Sequence, residues 1–541
     1  MFEPTEANQA IETGETLIPE MEAAPSSISR NRGVIRAAGI LAIGNVASRV
    51  LGLAREMVKA NLFGASGLLS AYETAALVPN SLFELMIGGM VNSALVPVFS
   101  DYATGSKERQ AELWGLVSSV LSVASVVMLL IIGLVELFTP QVAWVIGAVN
   151  FTDITLTDVS IHLMRLATPA VFFLSLSSVF TGVLFALKRF TLPAFAGAIF
   201  NGTIVVVALL RPQEISSLVW GMLLGAVLQA ALQLPALRDA RLRWQFNWQH
   251  PAIRRILWLY APIVAGIAIN QLVVALSYNL ATRTGDESLT YMRYATTLYQ
   301  FPLGLVVTAL SIATLPTLSQ QAGQQLDQFK RTLADGIRLV IALIMPAAAG
   351  LFALATPIIT LLFQHGQFQP ADTTRTALVL QVYLFGLPFA AVDQMLVFAS
   401  YARKDTWRPA IVGVISIIIY SLIALALLPF LGLLSLMVAD AVKHMVHTAL
   451  MLFWLQRRIG SLRRLGITNA LWRAAAAALL TGALAYAAAH LLMDHTPATT
   501  AGKLMVVIIA GGVGVASYVA LARLFRLSEI QALARLWPGK K

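Results

Sequence analysis

Charged side chains interrupt several long apolar stretches of this chain, and their types indicate what they could bind. The first stretch contains Arg49, Arg55 and Glu56, with Arg49 and Glu56 about two helical turns apart and so on one helix face. A later stretch contains Arg293. Arginine binds phosphate through a planar guanidinium that keeps its charge when water is removed. We therefore predict that these residues bind an anionic, phosphate-bearing ligand.

The second apolar stretch contributes further polar candidates. Asn80 is a predicted ligand contact, and Glu73 and Glu84 are candidate gating or ion-pair residues. Pro79 in this stretch and Pro302 in a later one each remove a backbone hydrogen bond and kink a helix. We predict that both prolines are hinges; a static packing kink is the alternative.

Four other charges lie within apolar stretches. Asp440 and Lys443 are about one helical turn apart and are predicted to neutralise each other. Arg165, like Arg293, is near the outer end of its stretch, and each could instead extend to the membrane surface. Asp393 is a candidate functional residue by its depth alone, because a charge inside a bilayer is costly.

The elements that must position these residues are membrane-spanning helices. Of 541 residues, 58% are hydrophobic and 12% are charged, whereas a soluble domain has roughly 25% charged residues. The apolar stretches are about 20 residues or longer, enough to cross a bilayer core of roughly 30 Å. They lack the alternation of barrel strands. We predict an all-α polytopic membrane protein with about fourteen transmembrane helices.

Lysine and arginine concentrate in every second connection between the predicted helices. Lys188 and Arg189 lie in one such connection and Arg403 and Lys404 in another, whereas the alternate connections have isolated basic residues such as Lys59. Because cytoplasmic loops collect basic residues, both termini are predicted to be cytoplasmic. The net charge of +11 then reflects topology and contact with anionic lipids, and no nucleic-acid binding is predicted.

Two segments recur along the chain at a nearly constant offset. Ala186–Pro193 resembles Ala402–Pro409, and Ala94–Ser100 resembles Ala313–Ser319. Six predicted spans separate the copies, which indicates two lobes of the same orientation; convergent turn sequences are the alternative. The predicted regions are a disordered cytoplasmic tail (1–33), an N-lobe (34–237), a C-lobe (238–456), two added helices (457–525) and a second cytoplasmic tail (526–541).

The sequence lacks the residues of several common functional sites. It contains no cysteine, which excludes disulfides and thiolate chemistry, and its seven histidines have no metal-ligand spacing. No phosphate-binding glycine loop or hydrolase motif occurs. We predict no enzyme activity, no cofactor and no metal, and transport that is driven by a gradient or the membrane potential.

Several segments together resemble the MurJ (MviN) family. The resemblance extends from about residue 34 to the end of the chain and is most specific in the first two helices. Its segments are Ser48–Glu56, Leu62–Ala65, Pro79–Asn80, Asn92–Val98, Lys188–Phe195, Leu362–Phe368 and Tyr401–Asp405.

The resemblance implies a fourteen-helix fold of the MATE-like (MOP) superfamily in the bacterial inner membrane. It implies flipping of lipid II, the undecaprenyl-pyrophosphate-linked peptidoglycan precursor, from the cytoplasmic to the outer leaflet by alternating access. It also implies a role in cell-wall synthesis and cell shape, a groove for the polyprenyl tail along the last two helices, and cell-envelope synthesis enzymes as partners.

Residue by residue, the resemblance is incomplete. The family's two arginines and acidic residue on the first helix match the three charged residues of the first stretch. Its aspartate at the start of the second helix aligns with Ser70, and its arginine after the Pro-Asn pair aligns with Phe83. Its Asp-Arg pair on the eighth helix aligns with Thr296–Thr297, and Arg293, about one turn earlier, could replace that arginine.

These departures leave other readings open. The chain could flip a different polyprenyl-pyrophosphate-linked glycan, or it could be a degenerate homologue that transports nothing and acts as a scaffold. Efflux of organic cations is a further alternative, which the arginines of the first stretch oppose and which only Glu73 and Glu84 support. Predicted helices 7 and 11 carry no acidic residue, so no acidic cation site is expected there.

Overall fold

A computed structural model of the chain describes residues 27–103, 107–247, 249–323, 325–497 and 499–530. Within these ranges all regular secondary structure is helical. The predicted tail segments 1–26 and 531–541 lie outside the described residues. Residues 27–33, which the sequence assigns to the tail, instead begin the first helix.

The first helix group, α1 to α9, covers the predicted N-lobe. Its members are α1 (Ser27–Phe63), α2 (Gly67–Met86), a π-helical segment (Ile87–Leu95), α3 (Val96–Ala103), α4 (Lys107–Leu137), α5 (Thr139–Ile146), α6 (Ile154–Ala167), α7 (Ala170–Ala186), α8 (Thr191–Leu210) and α9 (Ser216–Ala231).

The second helix group, α10 to α18, covers the predicted C-lobe, and two further helices follow it. The members are α10 (Pro251–Thr282), α11 (Ser288–Pro302), a π-helical segment (Leu303–Val307), α12 (Thr308–Gln321), α13 (Leu326–Ala353), α14 (Ala355–Leu362), α15 (Pro370–Leu384), α16 (Leu387–Ala402), α17 (Trp407–Leu431) and α18 (Leu434–Ile459), then α19 (Ile467–Met493) and α20 (Thr500–Leu524).

Most of these helices have the length and composition of membrane spans. In the described part of the chain, 11 helices are long and apolar enough to cross a bilayer, and a twelfth is formed if α15 and α16, bent by 44°, count as one. The two other predicted spans coincide with α1 and with the segment from α2 to α3. The count of fourteen and the cytoplasmic position of both termini stay predictions.

The two helix groups repeat one another at the offset that the sequence indicates. The π-helical segments begin at Ile87 and Leu303, and this separation equals the one between Ala186 and Ala402 in the sequence repeat. The short helices α5 and α14, which begin at Thr139 and Ala355, have the same separation and the same length. Convergent turn sequences alone would not place helices and π-helical segments at one shared offset.

The same offset relates two helix ends. Lys188 after α7 and Lys404 after α16 both adopt the left-handed conformation, at φ 59° and 58°. The amide of Arg189 donates to the Leu184 carbonyl at 2.7 Å, and the amide of Asp405 donates to the Ser400 carbonyl at 3.0 Å. These are Schellman caps, which satisfy carbonyl groups that the helix end leaves free.

The two added helices pack against the second helix group. Gly482 on α19 lies so close to α13 that an added Cβ would be 3.3 Å from the Ala349 carbonyl oxygen. The Tyr518 hydroxyl on α20 donates a hydrogen bond of 2.5 Å to the Ala342 carbonyl of α13. A cavity of about 580 Å³ lies between α13, α15, α16 and α19, and its lining is mostly apolar.

Candidate functional site

A cluster of five charged side chains joins the two helix groups. Arg55, Glu56 and Lys59 lie on α1, Glu73 lies on α2, and Arg293 lies on α11 of the second group. We call this set the charge cluster. Glu56 and Lys59 share one face of α1 because they are three residues apart, whereas Glu73 and Arg293 reach it only because the helices pack together.

The members of the charge cluster form a continuous chain of ion pairs. Arg55 Nη2 lies 2.7 Å from Glu56 Oε1, and Lys59 Nζ lies 2.7 Å from Glu56 Oε2. Lys59 also donates a short hydrogen bond to the Glu73 carboxylate. Arg293 Nε lies 3.5 Å from Glu73 Oε2. The chain of contacts therefore runs from α1 through α2 to the second helix group.

The cluster is buried at its centre and accessible at both ends. Glu56, Lys59 and Glu73 are 1%, 2% and 4% exposed. The side chains of Arg55 and Arg293 are 21% and 32% exposed. The two arginines are thus the members that an incoming ligand can reach.

The cluster carries more positive than negative charge. Arg55, Lys59 and Arg293 are cations, and Glu56 and Glu73 are the anions of the set, which leaves one positive charge in excess when all are ionised. An unbalanced charge away from water is costly unless a partner neutralises it. The arrangement therefore favours an anionic ligand and disfavours an organic cation.

Neighbouring polar groups hold the cluster in place. Arg55 Nη1 donates to Asn201 Oδ1 on α8 at 2.9 Å, and the Asn201 amide donates to the Ser48 carbonyl of α1 at 3.3 Å. The Lys59 ammonium lies 5.4 Å from the centre of the Tyr72 ring, within the range of a cation–π contact. These contacts fix α1 against α8 and α2.

Close backbone contacts between the helix groups lie near the charge cluster. The backbone N–H of Gln367 donates to the backbone carbonyl of Asn61 at 3.0 Å, and the Ser70 hydroxyl is 2.8 Å from the Thr290 hydroxyl. Gly366 has a φ of +55°, and a Cβ there would be 2.2 Å from the Asn61 carbonyl oxygen. On the predicted topology these contacts close the outer end of the interface.

Helix α10 lies along the first helix group rather than only against its own. Ser81 Oγ on α2 donates to Gln271 Oε1 at 3.0 Å, and the Tyr260 hydroxyl donates to the Leu85 carbonyl. Near the start of α10, Arg255 pairs with Asp101 of α3 at 2.7 Å. One side of the interface is therefore sealed by α10 along most of its length.

The predicted site residues divide into two sets. Arg55, Glu56, Glu73 and Arg293 come together in the charge cluster. Arg49 does not join it; this residue is exposed, and its guanidinium lies against Gly304 of the second group, where a Cβ would be 2.6 Å from Nη1. The prediction that all the arginines share one site therefore stays open for Arg49.

Two polar candidates on α2 stand apart from the cluster. Asn80 and Glu84 are both exposed, and neither forms a hydrogen bond or ion pair with another residue that the structure describes. Pro79 and Pro302 are buried, and a π-helical segment follows each of them along the chain. Their role as hinges remains a prediction.

Lys59 is a functional candidate that the sequence pattern alone did not indicate. Hydropathy predicts a first span that ends at residue 58 with Lys59 in the loop after it, but α1 continues to Phe63 and buries Lys59. The available signal was its spacing of three residues after Glu56, which predicts an ion pair on one helix face.

The positions that depart from the family pattern add no charge to the cluster. Ser70 bonds to Thr290, and Phe83 is half-buried. The Thr296 and Thr297 hydroxyls donate to carbonyls of their own helix at 2.7 and 3.0 Å. Arg293 is the charged residue that α11 presents to the first helix group.

Comparison with known sequences settles the family. Residues 59–508 match the sequence model of the lipid II flippase MurJ family. The chain belongs to this family. The lipid II flippase MurJ of Burkholderia cenocepacia is 28% identical over 426 residues, which are 76% of this chain and 81% of that protein. The probable lipid II flippase MurJ of Vibrio cholerae is 28% identical over 529 residues, 93% of this chain and 99% of the relative.

Comparison with solved structures confirms the predicted fold class. A lipid II flippase MurJ in an inward closed conformation superposes with a TM-score of 0.75 at 22% identity, over 91% of this chain and 99% of that one. An inward-facing multidrug resistance transporter of the MATE family, MOP superfamily, superposes with a TM-score of 0.64 at 14% identity, over 77% and 96%. The chain is an all-helical, multi-pass membrane protein of a transporter family and not an enzyme.

Proposed function

We propose that this chain is a lipid II flippase of the bacterial inner membrane, and that it moves lipid II from the cytoplasmic to the outer leaflet by alternating access. The family assignment supports the substrate. The observation that carries the mechanism is the charge cluster, which spans both helix groups and has one positive charge in excess. Enzymes that make and use lipid II are the expected neighbours in the membrane.

The pyrophosphate would be held by Arg55 and Arg293. Both guanidiniums are partly accessible, and both are paired with a glutamate in this structure. A pyrophosphate group would compete for their free N–H donors, and the buried Lys59 would keep the two glutamates close. Each charge-assisted hydrogen bond of this kind contributes about 1.5–3 kcal/mol.

The exposed polar residues outside the charge cluster would make the first contact with the lipid II headgroup. Arg49 on α1 and Asn80 on α2 are accessible, and Arg49 lies at the boundary between the two helix groups. We assign them to initial contact with the headgroup before it reaches the charge cluster. Glu84, which is exposed on α2, would disfavour anionic ligands that lack a specific fit.

Alternating access requires the contacts between the helix groups to break and re-form. The bonds from Gln367 to Asn61 and between Ser70 and Thr290 are those that must open. Pro79 and Pro302, with the π-helical segments that follow them, are the proposed bending points, because π-helical turns mark weak places in a helix.

The polyprenyl tail would occupy the apolar cavity beside α19. Ala478 and Gly482 of α19 and Ala349 and Phe352 of α13 are among the residues that line it. The family resemblance implies a tail groove along both added helices, but the residues that line this cavity belong to α19, α13, α15 and α16, and none to α20. The proposal therefore places the tail between α19 and the second helix group.

Binding of lipid II to the purified protein tests the assignment of the pyrophosphate site. Arg55→Ala and Arg293→Ala should each weaken binding by about 10- to 100-fold, the loss of one charge-assisted contact. Arg211→Ala is the matched control, because Arg211 is 65% exposed and, among the residues that the structure describes, its one ion pair is with the exposed Glu214. Equal affinity of all four proteins would contradict the site.

A second ligand separates the competing substrates. A polyprenyl-pyrophosphate carrying a different glycan should bind more weakly than lipid II if the stem peptide and sugars are recognised. Equal binding and equal flipping of both lipids would favour the broader reading of a polyprenyl-linked glycan flippase.

A further inference from the structure

A second group of titratable side chains lies between α16 and α18, in the interior of the second helix group. Lys443, His444 and His447 lie three, four and seven residues after Asp440 on α18, so the four side chains form one stripe on its face. Asp393 faces this stripe from α16. The proposed lipid II site uses none of these residues.

The stripe contains two separate pairings. Lys443 Nζ lies 2.5 Å from Asp440 Oδ1, as the sequence predicts, and His444 Nε2 lies 3.6 Å from Asp440 Oδ2. His447 Nδ1 lies 2.5 Å from Asp393 Oδ1, and both side chains are 14% exposed. In the described part of the chain, Asp393 forms no other ion pair.

The geometry of the Asp393–His447 pair is fixed by its helices. Thr448, next to His447, donates to the Phe389 carbonyl of α16 at 2.9 Å. Gln394, next to Asp393, donates to the Thr308 hydroxyl of α12 at 3.1 Å. Helix α16 is therefore held to α18 beside His447 and to α12 beside Asp393.

The charges of the stripe and of Asp393, taken together, balance only when one proton is bound. Asp393 and Asp440 are two anions and Lys443 is one cation, which leaves one negative charge when both imidazoles are neutral. A net charge within a membrane span is costly. Asp440 already has the lysine, so the missing positive charge belongs at His447. Histidine is the side chain whose charge changes between roughly pH 5 and 8.

The titratable groups around the Asp393–His447 pair do not compete with it for this proton. Tyrosines of the neighbouring helices ionise only near pH 10 or above in water and stay neutral here. The charged residues of α13, which packs against α16, lie near its start, where Arg338 pairs with Asp335 and Lys330 with Asp327. The titratable groups that face the stripe from α11, α15, α16 and α17 are Tyr299, Tyr383, Tyr401 and Tyr420.

We propose that Asp393 and His447 form a proton-binding site that couples the second helix group to transport. A proton taken from water converts neutral His447 into an imidazolium beside the Asp393 carboxylate, and its release reverses the change with no other bond formed or broken. The part of this proposal that concerns transport rests on the proposed lipid II function, whereas proton binding does not.

Helix α18, which carries His447, packs against α15, and α15 packs against α11. The Tyr383 ring on α15 lies 5.3 Å from the Tyr299 ring on α11. Helix α11 also carries Arg293, whose guanidinium reaches Glu73 of the first helix group. A change of charge at α18 can therefore shift α11, and with it the contact that joins the two helix groups.

Proton uptake by the purified protein without lipid II tests the site directly. On acidification, a pH indicator should report about one proton fewer bound per chain in Asp393→Asn and in His447→Gln than in the wild type. The control is His490→Gln, because His490 pairs with Asp494 on α19 at 3.7 Å but both side chains are exposed, 67% and 66%. This variant leaves Asp393 and His447 intact, so Asp393→Asn introduced into it should still remove about one proton per chain.

Flipping in proteoliposomes tests the coupling. With the membrane potential clamped at zero, an imposed pH difference of one unit should change the wild-type initial rate several-fold and leave Asp393→Asn and His447→Gln unaffected, with His490→Gln like the wild type. Thermal unfolding of each variant shows whether it is folded. Should one variant misfold, the other single variant and the wild-type response still decide.

The outcomes separate the two proposals. A wild-type flipping rate that does not depend on the pH difference, together with proton uptake in both variants equal to that of the wild type, would overturn the proton site and leave the flippase assignment intact. A protein that binds the proton at His447 but never flips lipid II would overturn the function and keep the site. Uptake lost in the variants together with a lost response to pH would support both.

Discussion

Glu73 Oε2 on α2 lies 3.5 Å from Arg293 Nε on α11, and this ion pair links the two helix groups through their charged interior. The same carboxylate binds Lys59 of α1, so one glutamate of α2 joins α1 to α11 across the two helix groups. Its dual role makes Glu73 the member whose removal should have the widest effect.

Replacing Glu73 with glutamine should destabilise the protein. The substitution leaves Lys59 buried with one carboxylate partner and raises the net charge of the cluster by one. Breaking a buried ion pair typically costs about 3–5 kcal/mol. Thermal unfolding in detergent should show a clearly lower Tm, whereas Glu214→Gln, in an exposed pair, should unfold like the wild type. An unchanged Tm for Glu73→Gln would mean that the pair contributes nothing.

The buried partners Lys59 and Glu73 should be energetically coupled. Lys59→Met alone removes the lysine from both glutamates, and Glu73→Gln alone leaves the lysine with Glu56 as its one carboxylate partner, whereas the double variant restores the original charge balance. The double variant should therefore lose less stability than the sum of the single losses, by about 0.5–3 kcal/mol. Unfolding free energies of all four proteins give this difference, and simple additivity would contradict direct coupling.

Gly366→Ala should open the contact between the helix groups near Asn61. Gly366 has a φ of +55°, and an added Cβ would be 2.2 Å from the Asn61 carbonyl oxygen. The chain has no cysteine, so Ser70→Cys supplies a single buried thiol. Its reaction with a water-soluble maleimide should be faster in Gly366→Ala than in the parent.

The matched control for this experiment is Gly350→Ala, because a Cβ at Gly350 would meet no atom within 4 Å. It should label at the parental rate. Equal labelling of all three proteins would show that the glycine contact does not close the interface.

Filling the apolar cavity should slow flipping, because the polyprenyl tail would no longer fit there. Ala483 on α19 lines the cavity, and phenylalanine there would occupy part of its volume of about 580 Å³. Ala483→Phe should slow flipping of lipid II with its full polyprenyl chain more than flipping of a short-chain analogue. Ala487→Phe, exposed on the same helix and outside the cavity lining, is the control. Equal slowing for both chain lengths would contradict the proposal that the tail occupies this cavity.

The helical architecture could be predicted from the sequence because it depends on local properties. Long apolar stretches require helices in a bilayer, and the repeat of Ala186–Pro193 at Ala402–Pro409 indicates the helix ends that the structure shows at Lys188 and Lys404. Boundaries are less predictable. Hydropathy does not distinguish a buried lysine from one in a loop, so the predicted first span ends just before Lys59, whereas α1 continues past it.

The composition of the charge cluster could be predicted only in part. Arg55 and Glu56 are indicated by one helix, but the pairing of Glu73 with Arg293 depends on how two helices from different halves of the chain pack. The proton site shows the same limit. Asp393 and His447 come from different helices, and no spacing in the sequence indicates that they are 2.5 Å apart.

Flipping of fluorescent lipid II by the purified protein in proteoliposomes tests the central claim most directly. The wild type and Arg211→Ala should flip the lipid, and Arg55→Ala and Arg293→Ala should flip it at least about tenfold more slowly, in line with one lost charge-assisted contact. Folded wild-type protein that flips no lipid II, or arginine variants that flip it at the full rate, would contradict the account.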